Sequence, residues 1–249
     1  MLTSSAKSVP GSRALWAAFP ACALWMALLA CVAWASAAQA APPPRIKVYY
    51  DLSYNGTAMA EGSETLEHDG RSYRIESEVK GKGLFALMKR GEVKRYSRGE
   101  VALNVLRPVE FRDQRGDRAP EFARFDWGRR IVTHERDSKI DSTPITDGMQ
   151  DRVSFLWSLS FAPPKAEVAA QVADGRGTTR FRYGVAGREI LKTAAGDIEA
   201  LHLVKIRDAG DARETEVWLA VQRGFVPVRL LVVEKDGARV DQVVTRIEP

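Results

Sequence analysis

Three dipeptides constrain this chain more than anything else in it: Asn55-Gly56, Asp69-Gly70 and Asp236-Gly237 each stand between runs of alternating apolar and polar residues. Such pairs supply the positive φ angles that a two-residue hairpin turn requires, so the flanking runs are expected to be antiparallel neighbours. The first run shows the pattern. Ile46, Val48, Tyr50, Leu52 and Tyr54 alternate with Lys47, Asp51 and Ser53, which gives a strand with one dry face. The runs after it cover 57–68 and 71–80, and the last pair covers 226–234 and 238–247. Further strands are expected at 93–97, 101–106, 109–115, 121–127, 131–135, 168–173, 178–185, 188–193, 198–207 and 215–220. Together these predict a mainly β fold: an antiparallel curved sheet, half-barrel or barrel-like, because closing a sheet removes edges that would otherwise aggregate.

One amphipathic helix is expected to interrupt the strands, at about 148–161. Asp147 is the candidate N-cap, Gln150 stands three residues on as its capping partner, and Asp151 places negative charge in the first turn. Ala162-Pro163-Pro164 ends the helix. Val153, Leu156, Trp157 and Ser160 share a face, and Met149, Phe155, Leu159 and Phe161 widen the apolar arc. A helix with so much apolar surface is expected to plug or cap the sheet.

Ahead of the strands, Lys7 and Arg13 are the only charges in residues 1–40. They precede an apolar and small-residue stretch over 14–38, and Ala38-Gln39-Ala40 offers small side chains to a signal peptidase. The expected organisation is a signal peptide over 1–40, a Pro-rich linker over 41–45 and a single β-rich domain over 46–249. The protein is then exported, to the periplasm or another envelope space of a bacterium. Two other fates stay open for the leader. Residues 14–35 are long enough to span a bilayer as a retained anchor, and Leu28-Leu29-Ala30-Cys31 resembles a lipobox whose cysteine is acylated. Membrane association is expected only in those two cases.

Cleavage leaves 249 − 40 = 209 residues, enough for a core without staples. The only cysteines, Cys22 and Cys31, lie in the leader, so that form has no disulfide, thiol nucleophile or thiolate-bound metal. Removing Lys7 and Arg13 leaves 37 − 2 = 35 basic residues against 32 acidic ones, a net charge of +3. Arg107, Arg112, Arg115 and Arg118 are interleaved with Glu110, Asp113 and Asp117, a pattern that excludes a basic stripe, and no nucleic-acid partner is expected.

No residue set identifies a reaction. His68, His134 and His202 lack metal-ligand spacing, and neither a metal nor a cofactor is expected. There is no Gly-x-Ser-x-Gly elbow. Gly81-Lys82-Gly83 and Gly175-Arg176-Gly177-Thr178 are too short to cradle phosphates and read as turns, while Glu76 with Glu78 and Glu214 with Glu216 read as solvated strand acids. An envelope hydrolase would need a clustered acid or nucleophile that the sequence does not display. Binding is better provided for. Leu84, Phe85, Leu87 and Met88 form an apolar patch bounded by Lys82, Lys89 and Arg90, the composition of a lid or of a loop that touches lipid. Phe125 and Trp127 share a strand face, and Trp157 adds aromatic bulk that can line a cavity. A helical turn over one barrel end and ordinary core packing account for the same residues. The expectation is a noncatalytic module that binds an apolar ligand such as a lipid. Its alternative is an interaction or assembly module that docks an envelope protein or glycan.

Several short motifs carry a family resemblance. Leu106-Arg107-Pro108, Phe125-Asp126-Trp127, Asp147-Gly148-Met149-Gln150-Asp151, Gly187-Arg188-Glu189, Thr193-Ala194-Ala195-Gly196 and Trp218-Leu219-Ala220 before Pro227-Val228 look like the DUF3108 domain. The resemblance spans nearly all of the chain after the leader. It implies an exported bacterial β domain with an inserted helix, and it carries over no catalytic residues. The succession of strands also looks loosely like the half-barrel lipoprotein carriers of the bacterial envelope.

Overall fold

The computed structural model describes residues 42–83, 86, 92–208 and 210–249. The leader, Ala41 and the expected lid residues Leu84, Phe85, Leu87 and Met88 lie outside the described residues.

The first half of the chain forms β1 (Arg45–Tyr54), β2 (Thr57–His68), β3 (Ser72–Gly81), β4 (Val93–Ala102), β5 (Val105–Arg115), β6 (Glu121–Asp126), β7 (Ile131–Arg136) and β8 (Lys139–Pro144). After the short β9 (Gln150–Asp151) comes one helix, α1 (Ser154–Phe161). The second half then forms β10 (Glu167–Asp174), β11 (Gly177–Thr193), β12 (Gly196–Lys205), β13 (Glu214–Ala220), β14 (Val226–Val233) and β15 (Arg239–Glu248). All fifteen strands belong to one sheet, in the order β8 to β1, then β15 back to β9. Each strand pairs antiparallel with its neighbour, except that β9 runs parallel to β10. The first and last long strands therefore meet in the middle of the sheet, and its two halves grow outward from them. Arg45, expected to close the linker, is already the first residue of β1. Pro42 and Pro44 are tied down by His68, whose ring lies 2.9 Å from Pro42 O and whose amide donates to Pro44 O at 2.8 Å.

The hairpin at Asn55-Gly56 forms as expected, with φ of +48° and +79°, whereas Asp236-Gly237 lies in a longer connection between β14 and β15 in which only Gly237, at +83°, takes a positive φ. Two other turns use no glycine. Expected as one strand, 101–106 instead reverses direction at Leu103 and Asn104, with φ of +52° and +61°, and Leu103 is 99% exposed. Asp137 and Ser138 make a similar turn, with φ of +49° and +63°, into β8, a strand that was not expected. Its sequence, KIDSTP, holds one aliphatic residue, Ile140, and that residue faces solvent. The strands expected at 178–185 and 188–193 are one long strand, β11, with a register shift between Val185 and Gly187.

The sheet is not closed into a barrel, and β8 and β9 are its edges. Side chains nevertheless draw the two halves together. His134, buried on β7, places Nδ1 2.6 Å from Asp174 O, and Thr143 meets Thr178 at 3.0 Å. Arg176 reaches Glu121 at 3.2 Å. The approach depends on Gly175, because a Cβ there would lie 2.5 Å from Glu121 Cβ and 2.9 Å from Glu135 O.

The helix begins later than its sequence suggests. Gly148 takes a φ of +73°, which breaks any helix at that point, and the exposed Asp147 pairs with Arg130 at 3.0 Å. Neither Asp147 nor Gln150 acts as a cap; the Gln150 amide donates to Leu106 O at 2.7 Å. The carboxylate of Asp151 takes that role, accepting the amides of Val153 and Ser154 at 2.8 Å each while its own amide donates to Ser154 Oγ. The helix is also buried on nearly every side, six of its eight residues being enclosed and Ser154 and Ser160 among them. Trp157 and Phe161 pack into a cluster with Val48, Leu66, Ile75 and Phe111. Phe155 and Leu159 pack into another with Tyr183, Leu203, Val217 and Leu219. The helix thus fills the hollow between the two half-sheets, and burying each of its large apolar side chains contributes about 1.5–3 kcal/mol.

Candidate functional site

Strand alternation decides which side chains enter the hollow beyond the helix. On β2 Glu64 has the phase of buried Leu66, on β4 Arg95 has the phase of buried Ser97, and on β5 Asp113 and Arg115 follow the phase of Phe111. One end of each strand therefore sends core residues inward and the other end sends charges. On the other wall, paired positions bring in Phe181 and Tyr183 of β11, Lys205 of β12, Thr215 of β13, Leu230 and Val232 of β14, and Gln242 of β15. Arg152, Val153 and Leu156 contribute from the start of the helix. The result is a groove of about 630 Å³, a size suited to a ligand of ordinary dimensions.

Its lining is two-sided in chemistry. Phe181 and Tyr183 lie edge to face at 6.4 Å, and Leu156, Leu230 and Val232 extend their apolar surface. The charged lining holds seven arginines and lysines against three acids, Glu64, Asp208 and Asp211, a net charge of +4. Several of these are paired. Arg115 donates to Asp113 at 2.9 Å, Arg152 to Asp174 at 2.5 Å, and Lys205 to Asp211. The lysine holds the Asp211 carboxyl below its ordinary value. Glu64 accepts the Trp157 indole N–H at 2.9 Å and the Ser77 hydroxyl at 3.1 Å, yet burial still pushes its carboxyl above the usual range. Burial likewise raises the Tyr183 phenol and lowers the Arg95 guanidinium.

Of the residues singled out by sequence, Trp157 is fully buried and does not line the groove, although its indole N–H donates to Glu64, which does. Phe125 and Trp127 stack at 6.2 Å elsewhere in the sheet; the Trp127 indole donates to Pro108 O at 2.6 Å, and the Arg107 guanidinium lies 4.5 Å from its ring. None of these three aromatics lines the groove. Glu64, Arg95, Arg115, Arg152, Phe181 and Tyr183 do line it, and sequence reasoning passed over them. A signal was available, namely charges standing in the inward phase of strands whose other inward residues are core.

Among the described residues, no helix is long and apolar enough to cross a membrane, and no three His, Cys, Asp or Glu side chains are grouped to hold a metal ion.

A family model described as "Protein of unknown function (DUF3108)" matches residues 49–243. No curated protein matches the chain. Among solved structures, a β-barrel-like DUF1849 protein from Brucella abortus is similar over 82% of this chain and 97% of its own, at 7% identity and a TM-score of 0.53. That likeness is one of fold. A protein from Parabacteroides distasonis provisionally described as a lipoprotein aligns over 84% of this chain and 96% of its own, at 8% identity and a TM-score of 0.32. A Bacteroides fragilis protein with a YmcC-like fold, provisionally described as exported, aligns over 82% and 95%, at 9% identity and a TM-score of 0.31.

Proposed function

The chain belongs to the DUF3108 family, and because that family's description assigns no activity, we propose its function from the groove: a noncatalytic, exported module that holds an apolar ligand such as a lipid. The observation that carries this is the hollow itself. The helix fills one part of the space between the half-sheets, and the remainder, about 630 Å³, keeps Leu156, Phe181, Tyr183, Leu230 and Val232 on its wall. Apolar surface left uncovered inside a fold costs about 25 cal/mol per Å², and a bound chain recovers that cost. The charged and apolar pattern over residues 1–40 supports export, and an exported module would meet envelope lipids.

Native mass spectrometry of the protein purified from an envelope fraction, followed by organic extraction, tests the proposal. A stoichiometric lipid is expected, and Leu156→Asp, which puts a charge into the apolar wall, should release it. A folded protein that carries no extractable lipid and takes up none from vesicles would overturn it.

The free edge β8 favours a second reading, an interaction module for an envelope protein or glycan. Five of its six residues are exposed, with Ile140 at 70%, and such an edge can pair with a strand of another protein. Ile140→Lys would abolish that association while leaving lipid content unchanged.

A further inference from the structure

We propose that the groove takes an anionic amphiphile, with its carboxylate or phosphate at Arg95 and Arg115 and its chain against Leu156, Phe181, Tyr183, Leu230 and Val232. This rests on the groove-binding reading above and adds the polarity and orientation of the ligand.

The argument begins at Arg95. Its guanidinium makes no hydrogen bond among the described residues, and its buried Nε stands 3.6 Å from Asp113 Oδ1, beyond hydrogen-bond reach. That Oδ1 is itself buried and accepts nothing, although Asp113 is only 5% exposed and its other oxygen is taken by Arg115. A guanidinium offers five donors in a rigid fork, and buried donors of this kind are almost always satisfied. Arg95 leaves its buried Nε without a partner and, 28% exposed, meets no acceptor of the described residues with its other donors, so it is prepared for one from outside the protein.

The neighbouring charges point the same way. Asp113 is shared by two arginines, and Arg152 is already held by Asp174. Glu64 is engaged by Trp157 and Ser77, and burial disfavours its charge. Across the groove, Asp211 is committed to Lys205 and Arg213 is held by Glu234. Arg229 is likewise held by Asp241 at 2.9 Å, so the four extra cations of the lining are matched by Asp113, Asp174, Glu234 and Asp241 behind it, and what draws an anion is the thinly shared Arg95 and not an overall excess of charge. A guanidinium also matches carboxylate and phosphate in two-point geometry. A small anion would leave the aromatic wall uncovered, and a neutral chain would leave Arg95 unsatisfied; a molecule with both parts meets both demands.

The test uses the protein expressed from its full-length sequence, with isothermal titration of dodecanoate, dodecyl phosphate, dodecanol and inorganic phosphate, each below its micelle concentration. Dodecanoate or dodecyl phosphate should bind at least about tenfold tighter than dodecanol, the effect of one charge-assisted contact. Arg95→Gln should erase that difference by weakening the two anions to the level of dodecanol. Should that variant not fold, Arg115→Gln is expected to narrow the same difference, and high ionic strength is expected to narrow it in part in the parent protein, since a half-buried pair is screened less than an exposed one. Equal binding of dodecanol and the two anions would overturn the anionic assignment and leave the groove reading standing. No binding of any chain would overturn both. Inorganic phosphate binding as tightly as dodecyl phosphate would overturn the amphiphile and mark the site as one for a free anion.

Discussion

Asp151 is a buried carboxylate whose removal should stabilise the protein at neutral pH and not in acid. Its side chain is enclosed, with Oδ2 accepting from Ser97 at 2.6 Å and Oδ1 from the amides of Val153 and Ser154. These bonds favour its charge, but burial outweighs them and the carboxyl is raised from 3.8 to about 6. A group raised in the folded state holds its proton more tightly there than in the unfolded chain. Stability therefore falls as pH rises from about 4 to about 6, and the full cost is present above that window. The gap of about 2 pH units corresponds to about 3 kcal/mol. Asp151→Asn keeps an oxygen for the two amides and carries no charge, while Ser97 can turn its hydroxyl toward Tyr73, 3.1 Å away. Urea unfolding of parent and variant, followed by tryptophan fluorescence across this pH range, isolates the effect as the difference between the two curves. The variant should match the parent near pH 4 and exceed it by up to about 3 kcal/mol near pH 7, a midpoint shift of about 1–2 M. A parent-to-variant difference that stays constant across the range would refute the assignment of a buried, ionising Asp151.

Two further changes test how the sheet is held. Gly175→Ala places a methyl group against Glu121 and Glu135 and should cost about 1–3 kcal/mol, with faster amide exchange in β7 and β8 than in β1 and β15. Replacing Leu103 by Asn together with Asn104→Gly suits the positive φ of both positions and should stabilise by about 1 kcal/mol, seen as a melting temperature about 2–4 °C higher.

The β class, the single interrupting helix and the DUF3108 resemblance were all legible in the sequence, because each rests on local chemistry. Asn55-Gly56 makes its turn wherever it is placed, since glycine and asparagine accept positive φ without help from neighbours. The alternation of Ile46, Val48 and Tyr50 likewise marks a dry face before any partner strand is known. Where tertiary contacts overrode local preference, the expectations failed. Leu103 and Ser138 take positive φ because the pairings of β4 with β5 and of β7 with β8 require a turn there. The helix starts at Ser154 because Asp151 is drawn into the core by Ser97, a partner 54 positions away. The groove was half legible. Glu64, Arg95 and Arg115 stood in the inward phase of their strands, which sequence shows, but their convergence with Phe181 and Tyr183 depends on a curvature that brings β4 and β5 opposite β11. Alternation along a strand is set by the backbone of that strand alone, whereas the space two strands enclose is set by the twist and pairing of every strand between them.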